Sequence, residues 1–560
     1  MADSLKISLA QINPVLGDIA GNAAKITEYR ARAADAGADI IVFTEFSIAG
    51  YPPEDLIRKP IFADQCEAAI AKLTAVTADA GPAMVVGGPR RADGRLYNCL
   101  YFLSGGKIAA TVDKQHLPNY GVFDEPRVFD AGTGQQPVEF RGINLGLSVC
   151  EDIWFPTVPA ALTKAGADVI IAPHGSPYTM DKLDERLTIA SQRVRETGLP
   201  LILINQVGGQ DELVFDGASF VLNGDGGLAV MARSFSEDLI HTQWTKGKQG
   251  WQCTPIDAGD GFDEMEALYS ALVLGLRDYV NKNGFPGVLV GLSGGVDSAL
   301  TAAIAVDALG AKRVHSVMMP SRYTSQESLD DAIACAGALG IKHETIDIEP
   351  MVGAFSAALA PQFAGLAADT TEENIQARVR GILLMAMSNK LGHMVVATGN
   401  KSEMSVGYST LYGDLCGGFA ILKDVYKTKA YELCRWRNAN IPQIGLDSPS
   451  GDVIPENIIT KAPTAELRED QKDQDSLPEY ADLDRILEAL IEDDCSVEDV
   501  VSLGYDEQVV ARVEHMLYIA EYKRRQAPPG VKVTSRHLGR DRRYPITNQF
   551  RNAARTKDDT

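Results

Sequence analysis

No stretch of this 560-residue chain reaches the ~18 apolar residues that a helix needs to cross a bilayer, so a membrane partner is not expected. Positive charge is also in short supply. Lys and Arg number 53 against 75 Asp and Glu, a formal net charge of −22, which repels a phosphate backbone and argues against a nucleic-acid partner. A small anion held by local donors is still compatible with that balance. Cysteine is sparse: eight are scattered without a Cys-x-x-Cys pair, which fits neither a disulfide scaffold nor a zinc ribbon and points to a reducing cytoplasm. The opening Met1-Ala2-Asp3-Ser4-Leu5-Lys6 runs straight into the alternating pattern Lys6-Ile7-Ser8-Leu9-Ala10, so a signal peptide is not expected either.

What is present reads as a large α/β protein. The length exceeds a single core and implies about two to four domains. Up to residue 258 short apolar runs (39–43, 84–86, 107–112, 143–149, 168–172, 201–205) alternate with helical stretches. Near Ile256-Asp257-Ala258-Gly259-Asp260-Gly261 the chain turns polar and Gly-rich, and 265–280 then shows a 3.6-residue apolar period, which places a boundary between domains 1–258 and 262–560. Strand–helix alternation resumes at 288–292, 313–319, 343–348 and 394–398, the order of a doubly wound parallel sheet whose ligands gather at the carboxyl ends of its strands. Residues 462–482 are charged and poor in apolar side chains, as in a mobile loop, and 481–519 reads as a small helical tail.

The run Val288-Leu289-Val290-Gly291-Leu292 delivers Ser293-Gly294-Gly295-Val296-Asp297-Ser298 into the start of a helix over about 298–308. Two adjacent glycines let an anion approach the backbone, and the free N–H groups of the helix start point at it. Ser293 and Ser298 add hydroxyl donors, and Asp297 offers a carboxylate suited to magnesium. The Lys of a Walker loop and the Gly-x-Gly-x-x-Gly fingerprint are both missing, which disfavours transfer of a γ-phosphate. A plain Gly-rich turn is the bland alternative. The pattern resembles the Ser-Gly-Gly-x-Asp-Ser loop of ATP pyrophosphatases, which adenylate a substrate by cleaving ATP between its α and β phosphates.

In the first half, three strands end in complementary groups: Phe43-Thr44-Glu45, Val112-Asp113-Lys114 and Leu147-Ser148-Val149-Cys150. A thiol, a carboxylate to take its proton and an ammonium to stabilise thiolate and oxyanion are what amide cleavage through a thioester needs. Taken singly, each has a structural explanation, and His174 is a rival base for Cys150. The surrounding Glu45-Phe46-Ser47-Ile48-Ala49-Gly50-Tyr51-Pro52, Lys114-Gln115-His116-Leu117-Pro118 and Cys150-Glu151-Asp152-Ile153-Trp154 resemble the Glu-Lys-Cys motifs of the nitrilase superfamily of carbon–nitrogen hydrolases. Glu125 matches that family's additional glutamate.

An amidase joined to an ATP pyrophosphatase resembles the glutamine-dependent NAD synthetases over nearly the whole chain, as do Met319-Pro320-Ser321-Arg322-Tyr323-Thr324-Ser325, Thr371 to Arg378, Thr398 to Glu403 and Tyr522 to Arg525. That resemblance implies a nitrilase-like αββα sandwich followed by a doubly wound ATP-pyrophosphatase domain with a helical tail. It implies glutamine, deamido-NAD and ATP with Mg2+ as reactants, and assembly into a homo-oligomer of two or more copies. By the same resemblance Tyr120, Ser176 and Lys182 contact glutamine, with Tyr51 and Glu151 as neighbours. Gly291, Leu292, Ser293, Gly294, Gly295, Val296, Asp297, Ser298 and Thr398 hold ATP, Asn374, Glu403 and Lys523 hold deamido-NAD, and Asp297 and Glu403 share the metal. The family also implies an internal passage for ammonia and a charged 462–478 segment folded over the site. Asparagine synthetase is disfavoured because residue 2 is Ala2, GMP synthetase because Cys150 lacks a Gly-x-Cys-x-Gly elbow, and RNA-thiolating relatives because the chain is acidic.

Overall fold

The computed structural model describes residues 4–134, 136–248, 250–256 and 262–550. The chain forms two compact units, Met1–Asp263 and Glu264–Thr560. Residues 257–261, in the Gly-rich stretch where the sequence suggests a boundary, lie outside the described residues.

The first unit is built on two sheets. One has seven strands in the order Gly250–Cys253, Asp238–Gly247, Ser4–Gln11, Ile40–Val42, Ala83–Ala92, Arg95–Ser104, Lys107–Asp113. The other has six, in the order Leu228–Met231, Phe220–Leu222, Leu201–Asn205, Val169–His174, Ile143–Leu147, Val138–Phe140. The central strands of both are parallel. Buried on both faces, they read as continuous apolar runs, and successive side chains go to different cores. Val169 and Ile171 pack between the sheets with Leu5, Ile7 and Val85. Ile170 and Ala172 pack outward against Ala190 and Val194 of the helix Lys182–Thr197. On the far side, Ile41, Phe43 and Met84 meet Ile26 of the helix Ile19–Asp35 and Ile70 of the helix Pro60–Val76. The result is a four-layer α-β-β-α sandwich. Local signals start the helices: Asp18 accepts from the Gly21 N–H at 2.9 Å, and Pro60 occupies a first-turn position where its missing N–H costs nothing.

The second unit carries five parallel strands in the order Lys342–Thr345, Val314–Met318, Val288–Gly291, Met394–Ala397, Phe419–Ala420. The strand order reverses at Val288–Gly291, so a crevice opens at the carboxyl ends there. The helix that follows, Val296–Leu309, starts two residues earlier than the sequence suggests, and its burial on all sides explains why its composition is apolar throughout. The helices Tyr480–Ile491, Val497–Ser502 and Glu507–Ile519 close a separate core of Leu483, Ile486, Leu487, Val500, Val510 and Val513. Among the described residues no helix is long and apolar enough to cross a membrane.

The charged 462–482 segment, expected as a mobile loop, is tied to its neighbours by side chains. Its only regular element before the helical tail is the short turn Asp473–Asp475, yet its polar side chains are tethers. Asp473 is buried and accepts from Tyr480 and Tyr408 hydroxyls at 2.9 and 3.2 Å, Glu466 accepts from Ser325 and Ser328, and the Leu467 carbonyl accepts from Gln376. Composition alone does not distinguish a solvated charge from one that meets hydroxyls on a neighbouring element.

Ile171 sits in the inter-sheet core with no exposure. Ile171→Ala is expected to destabilise the first unit by about 2–5 kcal/mol, seen as an earlier denaturant midpoint with an unchanged slope.

Candidate functional site

In the first unit three strand ends converge. Glu45 follows Ile40–Val42, Lys114 follows Lys107–Asp113, and Cys150 follows Ile143–Leu147 as the first residue of the 3-10 turn Cys150–Ile153. All three are buried. The Lys114 ammonium donates to Glu45 Oε1 at 2.9 Å and to Glu125 Oε1 at 2.8 Å. Glu45 also accepts from Asn98 Nδ2 and the Gly175 N–H, both at 2.7 Å, and Glu125 accepts from the Tyr51 hydroxyl at 2.8 Å. An ammonium out of water is tolerated only with such partners. Burial opposes the Lys114 charge, but Glu125, Glu45 and Cys150 outweigh it and hold its pKa well above the usual range. Burial, with Glu45 adding to it, pushes the Glu125 carboxyl up to about 7 against the pull of Lys114. The Cys150 thiol is driven well up by burial and Glu45, while Lys114 and the Gly175 N–H pull it back. The resting sulfur is therefore a thiol, beside a carboxylate that can take its proton and an ammonium that can hold an oxyanion. Cys150 has φ +43°, a left-handed backbone that only a surrounding framework keeps in a non-Gly residue.

Tyr120, Ser176 and Lys182 border this corner. Tyr120, half exposed, donates to Glu151 at 3.0 and 3.2 Å, next to the thiol. Lys182 lies 4.2 Å over the Trp154 ring, bridges Glu185 at 2.7 Å and draws down the Glu151 carboxyl that burial raises. Ser176 is buried, and Asn205 brackets its backbone, accepting from the N–H at 2.9 Å and donating to the carbonyl at 3.0 Å. His174 is turned back on its own strand, with Nδ1 2.7 Å from the Ala172 carbonyl, and burial drives its pKa down to about 4. It is a neutral ring and a poor rival to Glu45 as base.

In the second unit, Ser293–Ser298 leaves the switch-point strand and folds on itself: Ser298 Oγ donates to the Gly295 carbonyl at 2.9 Å and accepts from the Ser293 N–H at 3.1 Å. Gly294 has φ +80°, and a Cβ there would lie 2.3 Å from the Ser328 carbonyl. The steric demand therefore falls on Gly294 and much less on Gly295, whose added Cβ would meet only Ser293 Oγ at 3.3 Å. Two cavities flank the loop. One, of about 250 Å3, is lined by Gly291, Leu292, Met319, Arg380 and Leu384 among others, a mostly apolar slot with one guanidinium. The other, of about 210 Å3, is polar and includes Val296, Asp297, Glu403, Lys427 and Lys461. Ser293, Thr398, Asp414, Ala465 and Glu466 line both.

Asp297 and Glu403 do converge, but on Lys427, whose ammonium pairs with Asp297 and reaches Glu403 Oε1 at 3.1 Å. Burial and Asp297 push the Glu403 carboxyl up to about 7 against Lys427. Among the described residues no group of three or more His, Cys, Asp or Glu side chains is arranged to hold a metal ion. Asn374 and Lys523 both meet the turn after residue 406: Asn374 accepts from the Thr410 hydroxyl at 2.8 Å, and Lys523 donates to the Gly407 and Ser409 carbonyls at 2.8 and 2.7 Å.

The family model for carbon-nitrogen hydrolase matches residues 6–247, and that for NAD synthase matches residues 268–527. Over 551 residues, 98% of this chain and 100% of the relative, the chain is 50% identical to a glutamine-dependent NAD(+) synthetase of Rhodobacter capsulatus. The chain belongs to the glutamine-dependent NAD(+) synthetase family. A family member from Acinetobacter baylyi is 44% identical over 98% of this chain and 99% of its own. The solved structure of the Acinetobacter baumannii glutamine-dependent NAD(+) synthetase in complex with adenosine diphosphate has 42% identity, a TM-score of 0.78 and coverage of 98% of this chain and 100% of that one.

Residues that motif reading of this synthetase passes over carry much of the site. Asn98 is a polar residue inside the apolar run of Arg95–Ser104, a signal visible in sequence. Lys427 follows the strand Phe419–Ala420 and starts the helix Lys427–Ala439, and Arg380 lies two residues beyond the Thr371 to Arg378 motif, where nothing in the sequence separates it from other basic helix residues.

Gly294→Ala adds a side chain to a left-handed position against backbone. ATP-analogue affinity by calorimetry is expected to fall roughly tenfold or more, and unchanged affinity overturns the assigned constraint. Glu125 offers a pH test. Its folded carboxyl stays protonated to about pH 7, while an unfolded one ionises near ~4.3, so its contribution to stability is largest at low pH and falls as pH rises through that window. The difference in unfolding free energy between wild type and Glu125→Gln should decline across that window and level off above it.

Proposed function

We propose that the chain is a ligase that frees ammonia from glutamine at Cys150 and uses it, with ATP, to convert deamido-NAD to NAD. The observation that carries the reading is the Glu45–Lys114–Glu125 cluster beside Cys150 in one unit, accompanied in the other by two cavities meeting at Ser293 and Thr398. In the first step the Cys150 sulfur attacks the glutamine side-chain carbonyl, Glu45 takes the thiol proton, and Lys114 faces the developing oxyanion. Collapse of the tetrahedral species expels ammonia with that proton and leaves a thioester, which water opens to glutamate. Tyr120, Ser176 and Lys182 hold the amino-acid end.

In the second step ATP lays its base against Leu292 and Met319, with its phosphates on Ser293 to Ser298 and Thr398. Asn374, Glu403 and Lys523 hold deamido-NAD, whose nicotinate carboxylate displaces pyrophosphate from the α-phosphorus. Ammonia then displaces AMP and leaves the amide. The carboxylates of Asp297 and Glu403 suit Mg2+, a hard cation that takes a few protein oxygens and completes its shell from phosphate and water. When bound it would neutralise pyrophosphate charge, and Lys427 balances the two carboxylates beforehand.

Assembly into a dimer or larger is supported by the exposed apolar side chains Phe355, Leu366, Ile382 and Met385. The eight unpaired cysteines suit a reducing cytoplasm.

Incubation with ATP, magnesium, glutamine and deamido-NAD should yield NAD, AMP, pyrophosphate and glutamate. Cys150→Ala should lose glutamate release and glutamine-supported NAD formation by roughly a thousandfold or more yet keep ammonia-supported synthesis. Glutamate release at the wild-type rate would remove the thiol from the mechanism, and AMP without NAD would point to another acid.

A further inference from the structure

Asp152, two residues past the thiol, is fully buried, and backbone N–H groups on two loops reach it. Its carboxylate collects three backbone donors. Oδ1 accepts from the Gln115 N–H at 3.0 Å and the His116 N–H at 2.9 Å, and Oδ2 accepts from the Val149 N–H at 3.0 Å. Those donors stand on two different loops. Gln115 and His116 directly follow Lys114 after its strand ends at Asp113, and Val149 directly precedes Cys150 after its strand ends at Leu147. Strand-like pairing still reaches Lys114, whose N–H donates to the Asn98 carbonyl at 2.8 Å, and Ser148, whose N–H donates to the Ile171 carbonyl at 2.9 Å, but Gln115, His116 and Val149 lie one or two residues further on. One carboxylate thus ties the backbone next to the amine to the backbone next to the sulfur.

The arrangement bears on the reaction because the left-handed Cys150 is a costly conformation, and the useful position of the thiol relative to Lys114 depends on two loops agreeing to within a fraction of an ångström. A buried carboxylate satisfied by backbone N–H groups is rigid and directional; burial raises its pKa, and the three N–H donors and Lys114 pull it back. An amide in its place keeps the shape but turns one acceptor into a donor, which then faces an N–H.

We propose that Asp152 is a positioning residue for amide cleavage, holding the Lys114 loop and the Cys150 turn in register. The inference rests on the reading of Cys150 and Lys114 given above, and the experiment separates the two. In the full-length protein with ATP and deamido-NAD, Asp152→Asn is expected to lower kcat for glutamate release roughly a hundredfold, to change KM for glutamine less than about threefold, and to leave ammonia-supported NAD formation within about twofold. The pH profile of Cys150 alkylation by iodoacetamide should also move to higher pH, since a displaced Lys114 no longer favours the thiolate. Where Asp152→Asn does not fold, Asp152→Ser, which keeps one acceptor oxygen, takes its place. A wild-type protein without glutamate release defeats the underlying reading. A normal kcat with an unmoved alkylation profile overturns the role of Asp152 alone. Loss of ammonia-supported synthesis or of the folded state in both variants also overturns it, because Asp152 is then a structural support.

Discussion

A lysine ammonium withdrawn from water between two carboxylates is the constraint on which both units depend. In the first, Lys114 is shared by Glu45 and Glu125, and in the second Lys427 is shared by Asp297 and Glu403. Each group carries one more negative charge than positive when fully ionised, and burial makes that excess expensive. In both places one carboxyl, Glu125 or Glu403, is pushed up to about 7. The two folds differ, yet each meets the same electrostatic problem by the same means. Proton occupancy near neutral pH becomes a property of the cluster and not of any one residue.

The frameworks that impose these clusters follow from the sheets. In the sandwich, the buried parallel strands Ile40–Val42 and Ile143–Leu147 and the largely exposed antiparallel edge strand Lys107–Asp113 end near one another, so Glu45, Lys114 and Cys150 meet without any of them lying on a regular element except the short turn that Cys150 begins. In the second unit the reversal of strand order leaves room at Val288–Gly291, and Gly294 lets the loop pack against the Ser328 backbone. The membership of the chain in the glutamine-dependent NAD(+) synthetase family accords with this pairing of architectures.

How much of this was legible in the sequence varies by residue. Apolar runs that end in Glu45, Lys114 and Cys150 are visible because a polar group after a buried strand stands out, and the glycine pair after 288–292 is visible for the same reason. Lys427 was not, because a lysine opening a helix is ordinary until the fold sets two carboxylates beside it. The sequence sets Asp297 and Glu403 as candidate metal ligands and carries no sign of the ammonium between them, because such pairing is long-range and leaves no spacing to read. In the 462–482 stretch composition shows the charge and the lack of apolar residues but not the anchors: Asp473 and Glu466 accept from the hydroxyls of Tyr408, Tyr480, Ser325 and Ser328.

That stretch also supplies Ala465 and Glu466 to the walls of both nucleotide-sized cavities. Any change in the position of that backbone reshapes the apolar slot and the polar chamber together, because the same two residues border both.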